Sequence, residues 1–247
     1  MVQWLWIVRV ARVALRAEPA HASAQVSELL WGEPQDILEE RQGWVYVRGW
    51  LDGYAGWVPA GALGPAYWDG SGWQVVQRQS FYQHRGRIAG WVGVGALFPR
   101  SGVWLTAQGD YRLVSARAKP YEPLSWRAIW RLFRQAPYAW GGKSTSGVDC
   151  SGLVQLAFRL RSQLLPRDAY QQAAFLPPTP SPKVGDLVFF TSASNPSGRV
   201  SHVGIYVGRG RVLHATPAAG VHIAPLKSLH THVIHSFRRG VGEDFVI

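Results

Sequence analysis

Cys150 is the only cysteine among 247 residues. A lone cysteine cannot close an internal disulfide, and a one-cysteine metal site would have to borrow its other ligands. Two readings remain open, an inert buried thiol and a nucleophile. The surroundings bear on the choice. Asp149-Cys150-Ser151-Gly152 opens an apolar run at helical spacing, so Asp149 is a natural N-cap. Cys150 then falls in the first turn, where unpaired N–H groups and the helix macrodipole favour a thiolate. Such a thiol still needs a base within hydrogen-bond reach. His202 in Ser201-His202-Val203-Gly204-Ile205-Tyr206 and His214 in Val212-Leu213-His214-Ala215 lie on consecutive strand patterns, with Gly208 and Gly210 between them. Strand parity sets the condition. The two imidazoles are directly opposite if the hairpin centres on Gly208 with an odd-numbered loop. A two-residue Arg209-Gly210 loop would put them on opposite faces. With the first register, His202 can serve as base and His214 can orient and polarise it.

The elements that must hold these residues are legible in outline. Ser125 caps a helix expected to reach residue 135, with Trp126, Ile129, Trp130 and Phe133 on one face. Pro137 ends it. The Cys150 helix is expected over 150–163, carried by Leu153, Val154, Leu156, Ala157 and Leu160. A proline-rich loop at 177–182 precedes strand patterns at 186–190, 200–207, 211–215 and 233–238. Helices followed by strands indicate an α+β domain over 119–247.

The first half reads as short strands. Trp44-Val45-Tyr46-Val47, the turn Asp52-Gly53-Tyr54 and Gly56-Trp57-Val58 argue a small barrel or sandwich. Ala55-Gly56-Trp57-Val58-Pro59-Ala60-Gly61-Ala62-Leu63 returns as Ala89-Gly90-Trp91-Val92-Gly93-Val94-Gly95-Ala96-Leu97. Two copies suit two tandem β modules, 1–64 and 65–118, better than a solenoid. Residues 119–123 read as a linker.

A formal charge of +11 and a pI near 10.3 imply attraction to an anionic partner. The basic residues are dispersed and match no nucleic-acid motif, so a solvated basic surface is the reading and no nucleic acid is expected. The segment at 4–8 alternates as a strand. Arg9, Arg12 and Arg16 break it too early for a leader or a membrane span, despite the cleavage-like Ala22-Ser23-Ala24. A cytoplasmic location without a transmembrane segment is therefore expected. His21, His84, His222, His230, His232 and His235 have no acidic or cysteine neighbours at ligand spacing, so solvated or core roles are expected, with no metal or cofactor.

Several motifs together carry a family resemblance. They are Pro137-Tyr138-Ala139-Trp140-Gly141-Gly142, Asp149-Cys150-Ser151-Gly152-Leu153-Val154-Gln155, Leu165-Pro166-Arg167-Asp168-Ala169, Gly185-Asp186-Leu187-Val188-Phe189-Phe190, His202-Val203-Gly204-Ile205-Tyr206 and His214-Ala215. In order and spacing this set resembles the NlpC/P60 cysteine peptidases. The pattern from Leu15-Arg16 through Leu29-Leu30-Trp31-Gly32-Glu33 to Gly56-Trp57-Val58 resembles bacterial SH3-like modules; the second copy matches mainly at its end. The resemblance implies a papain-like α+β catalytic fold after two small all-β SH3-like barrels. It implies Cys150 as nucleophile, His202 as general base, His214 as third catalytic residue, and Tyr138 near the reacting carbonyl.

It also implies that Asp149 and Ser151 help hold a free N-terminal L-alanine, the Asp149 cap using one carboxylate oxygen and leaving the other available. The implied substrate is a peptidoglycan-derived peptide cut between γ-D-glutamate and a diamino acid. Asp52 and Tyr54, with Glu39 and Glu40, are the first-module candidates to face the substrate amine. Simpler roles stand beside these: capping for Asp149, a first-turn position for Ser151, packing for Tyr138, a turn for Asp186 and a solvated loop edge for the first-module set. Two other functions fit the same residues, a wall-binding protein with an inactive catalytic domain and an amidase or acyltransferase. Oligomeric state is not legible.

Overall fold

The computed structural model describes residues 3–70, 72–114, 123–192, 198–230 and 232–240. The chain divides into two compact units, Met1–Pro123 and Leu124–Val246. Of the expected linker at 119–123, all but Pro123 lies outside the described residues.

Among its described residues the first unit is all β apart from a 3-10 turn at Ala60–Ala62. Its described residues include two hydrophobic clusters. Val8, Leu15, Leu29, Val45, Val47, Val58 and Leu63 form one. Trp31, Ala66, Val92, Phe98 and Trp104 are among the residues of the other. The repeated nonapeptide plays the same part twice, with Val58 in the first cluster and Val92 in the second. The segment weighed as a leader is the strand Gln3–Val8. Its Leu5 and Ile7 are buried in the second cluster and its Val8 in the first, while Trp4 and Trp6 face solvent. The expected division at 64/65 falls inside the strand Leu63–Trp68, which pairs along Gln3–Val8.

The second unit packs helices on a five-stranded antiparallel sheet. Its strand order is Gly220–Pro225, Arg211–Thr216, Val200–Tyr206, Leu187–Ser192, His232–Arg238. Helix α1 spans Trp126–Phe133, and the Ser125 hydroxyl accepts from the Ala128 N–H as its cap. Helix α2 spans Cys150–Arg159, ending short of the expected 163. The chain turns there, with Ser162 in the left-handed region. Helix α3, Ala169–Phe175, and the strand Gly220–Pro225 are additions to the expected elements. All ten residues of α2 are buried, and α2 packs on Val200–Tyr206 and Arg211–Thr216. The nucleophile candidate and both histidine strands therefore share one packing layer. Among the described residues no helix is long and apolar enough to cross a membrane.

Candidate active site

The start of α2 is built by close approach. A Cβ on Gly152 would lie 2.1 Å from the Gly142 carbonyl oxygen, and one on Gly142 would lie 2.3 Å from that of Gly147. Only glycine at both positions lets the 141–148 loop press against the first turn. Asp149 caps the helix in extended backbone, its Oδ1 accepting from the Gly152 N–H at 2.7 Å. Its other oxygen is also engaged within the protein. Oδ2 accepts from the Gly141 N–H at 2.9 Å and from Arg167 Nη2 at 2.6 Å. Arg167 Nη1 adds a bond to Oδ1 at 3.1 Å and one to the Ser151 hydroxyl at 2.8 Å. Ser151 in turn donates to Asp149 Oδ1 at 3.2 Å. Arg167, Asp149 and Ser151 are all buried. An ion pair this buried needs every lone pair engaged to offset desolvation, and here the engagement is internal.

The Cys150 thiol is buried, and the N–H groups of Val203 and Ser151 favour its anion. Val203 follows His202 directly, so the sulfur lies against the strand that carries the base candidate. Burial nevertheless dominates and, helped by the Asp149 charge, pushes the thiol up to about 12. The helix start favours thiolate, and desolvation opposes it as the larger effect. Burial and the neighbouring histidines likewise hold His202 down to about 3, and burial with His222 and His232 holds His214 down to about 4. Burial thus favours the uncharged form of all three groups.

His202 Nε2 lies 2.8 Å from His214 Nδ1. The hairpin delivers this by a different register from the expected one. Ile205 pairs with Leu213 and Tyr206 with Val212, which centres the turn on Arg209 rather than Gly208. Gly208, Arg209 and Gly210 are all left-handed. The loop is still odd, so both histidines share a face, but His214 stands opposite Gly204 and reaches His202 diagonally. A Cβ on Gly204 would meet the His214 Cβ at 3.1 Å.

Tyr138 is half-buried and couples to Cys150. Burial, then the charges of Cys150 and Asp149, push its phenol up to about 12, so it stays a hydrogen-bond donor. The constellation combines a thiol at a helix start, an imidazole oriented by a second imidazole, and a phenol donor. That set suits acyl transfer through a thioester. Among the described residues no group of three or more His, Cys, Asp or Glu could hold a metal ion.

Residues 135–239, which contain all of these groups, match the NlpC/P60 family. This stretch of the chain forms a domain similar to the NlpC/P60 family. Residues 15–63 match the bacterial dipeptidyl-peptidase Sh3 domain. A γ-D-glutamyl-L-lysine dipeptidyl-peptidase of Bacillus subtilis (strain 168) is 41% identical over 102 residues, 40% of this chain and 34% of that protein. The probable endopeptidase NlpC of Escherichia coli (strain K12) is 39% identical over 97 residues, 38% of this chain and 62% of the other. These alignments span less than two thirds of either relative. The crystal structure of an NlpC/P60 family protein from Bacillus cereus ATCC 10987 matches at a TM-score of 0.77 over 97% of this chain and 100% of that one, at 17% identity. At that identity the likeness speaks for the fold, an α+β papain-like domain preceded by a small all-β SH3-like domain.

The NlpC/P60-like domain gathers Tyr138, Asp149, Cys150, Ser151, His202 and His214. Asp52 and Tyr54 belong to the first unit. There the Asp52 carboxylate accepts from the Tyr54 N–H at 3.0 Å, and Tyr54 packs on the first cluster. Glu39 pairs with Arg41 at the surface. Asp186 pins loops, accepting from the Lys183 and Gly240 N–H groups. Sequence reasoning placed Arg167 in the Leu165-Pro166-Arg167-Asp168-Ala169 motif but gave it no role; its partner is 18 residues away. It also set aside His222 and His232. The rings of these two lie 4.4 Å from His214 and 4.9 Å from His202.

Proposed function

We propose that this chain is a cysteine endopeptidase that hydrolyses the bond between γ-D-glutamate and a diamino acid in peptidoglycan stem peptides with a free N-terminal L-alanine, releasing L-Ala-γ-D-Glu. The contact of His202 Nε2 with His214 Nδ1 at 2.8 Å carries the reading. It leaves Nδ1 of His202 as the nitrogen for the thiol. The choice of bond is supported by the dipeptidyl-peptidase Sh3 match and by the name of the Bacillus subtilis relative.

The chemistry follows from neutral resting groups. The Cys150 proton passes to His202 Nδ1 as the sulfur attacks the γ-carbonyl carbon. Charge on the carbonyl oxygen is met by the Cys150 N–H at the helix start and by the Tyr138 hydroxyl. The C–N bond breaks as His202 returns the proton to the leaving amine, and a thioester remains. Water gives a proton to His202, attacks the thioester, and the thiol is restored. The Asp149 carboxylate stays with Arg167 throughout and keeps the helix start in place. Asp149, Ser151, Asp52 and Tyr54 remain our candidates for holding the L-alanine amine. Action on released peptides in the cytoplasm belongs to the same proposal, and cell fractionation tests it.

Incubation with L-Ala-γ-D-Glu-diaminopimelate tests the activity. Released dipeptide is expected from the native protein and none from Cys150→Ala. N-acetylation of the alanine should abolish turnover. Equal release by native protein and Cys150→Ala overturns the reading.

A further inference from the structure

His222 stands directly opposite His214 on the neighbouring strand, with ring centroids 4.4 Å apart and planes tilted by 46°. His214 is fully buried. Its Nδ1 is committed to His202, and its Nε2 has no hydrogen-bond partner among the described residues. Among those residues the His214 ring meets two other rings, His202 and His222. His222 Nδ1 lies 3.1 Å from the Gly220 carbonyl oxygen. A carbonyl only accepts, so this nitrogen carries the proton and neutral His222 keeps its lone pair on Nε2.

The tautomers of this row are coupled. For His202 to take the thiol proton at Nδ1, its own proton must sit on Nε2 and be donated to His214 Nδ1. His214 must then hold its proton on Nε2, a buried donor. The opposite arrangement, His214 Nδ1–H donating to His202 Nε2, moves the His202 proton onto Nδ1 and blocks the base. Which arrangement prevails depends on what meets His214 Nε2, because an unsatisfied buried N–H is disfavoured.

We propose that His222 is a positioning residue for the reaction. Its electron-rich ring, packed on His214, favours the proton on His214 Nε2 and so keeps His202 in the tautomer that can act as base. This rests on the proposed role of His202, but its test needs no peptide substrate.

The experiment is long-range nitrogen–proton NMR of the imidazoles, together with the alkylation rate of the single thiol by iodoacetamide, on native protein, His222→Leu and His222→Gln. In native protein the His214 proton should sit on Nε2. His222→Leu should move it to Nδ1 and slow alkylation about tenfold. His222→Gln, whose amide oxygen can accept, should retain the native tautomer and rate. A native His214 protonated at Nδ1 overturns the inference even if His222→Leu fails to fold. Unchanged tautomers and rate in a folded His222→Leu overturn it equally. Failure of peptide cleavage alone would count against the proposed substrate and leave these readouts to decide on His222.

Discussion

The Arg167 guanidinium grips both oxygens of Asp149, at 2.6 and 3.1 Å, in a site where both side chains are buried. The helix that presents Cys150 is therefore anchored by a residue from the segment leading into α3. Removing one partner of a buried pair leaves an uncompensated charge. Arg167→Ala should destabilise the protein by about 3–5 kcal/mol, read from urea unfolding. Arg167→Lys should not restore it, because an ammonium cannot make the two parallel bonds of the guanidinium. Native-like stability in Arg167→Ala would show that the pair does not hold the helix start.

Gly204 leaves the space that His214 uses. A Cβ there would lie 2.3 Å from Val212 Cγ2, 3.0 Å from the Leu213 oxygen and 3.1 Å from the His214 Cβ. Gly204→Ala should push the Arg211–Thr216 strand away and lengthen the His202–His214 contact. A fall in kcat of about tenfold or more, roughly 1.4 kcal/mol of barrier, is expected with a much smaller change in KM. An unchanged kcat would mean that the spacing of the two imidazoles is not critical.

Tyr138 keeps its proton across the working pH range. Tyr138→Phe removes the hydroxyl and keeps the ring, so unfolding should be little affected. Loss of one oxyanion donor lowers kcat by about 10²–10³ in well-organised sites, and a fall toward that range is expected in a steady-state assay. A Phe variant with native kcat would assign Tyr138 to packing.

Stability should depend on pH at both ends. His202 and His214 are held down to about 3 and about 4, below the ordinary histidine value of 6.5, by burial first and then by the neighbouring histidines. Between about pH 6.5 and 4 the unfolded chain binds protons that the folded site refuses. Stability should then fall with falling pH by about 1.4 kcal/mol per pH unit for each proton. The Cys150 thiol, raised from 9.0 to about 12, works in the other direction. Above pH 9 the unfolded thiol ionises first, so stability should fall as pH rises. Urea midpoints across pH 4–10 should show a plateau between these limbs. His202→Gln should flatten the acid limb.

The local signals were readable in the chain. Asp149 before an apolar helical run marked the cap, and alternation around His202 and His214 marked their strands. What stayed hidden depended on residues distant in sequence or on backbone conformation. Arg167 takes up Asp149 across 18 residues, and tertiary burial of the thiol opposes the helix start. The turn centre moved by one residue because Arg209 adopts a left-handed conformation that glycine usually supplies. Helix α3 did leave a signature, the capping box of Asp168 and Gln171. Its short span of seven residues made that signature easy to pass over. The strand Gly220–Pro225 is shorter still, at six residues, and missing it hid the pairing of His222 with His214.

Intact mass measurement during turnover of L-Ala-γ-D-Glu-diaminopimelate, after rapid acid quench, tests the central claim most directly. The expected result is a single adduct equal to the L-Ala-γ-D-Glu acyl group, mapped to the peptide that contains Cys150 and absent from Cys150→Ala. An acyl group on another residue, or dipeptide release by Cys150→Ala at the native rate, would contradict a mechanism in which Cys150 attacks the γ-glutamyl carbonyl.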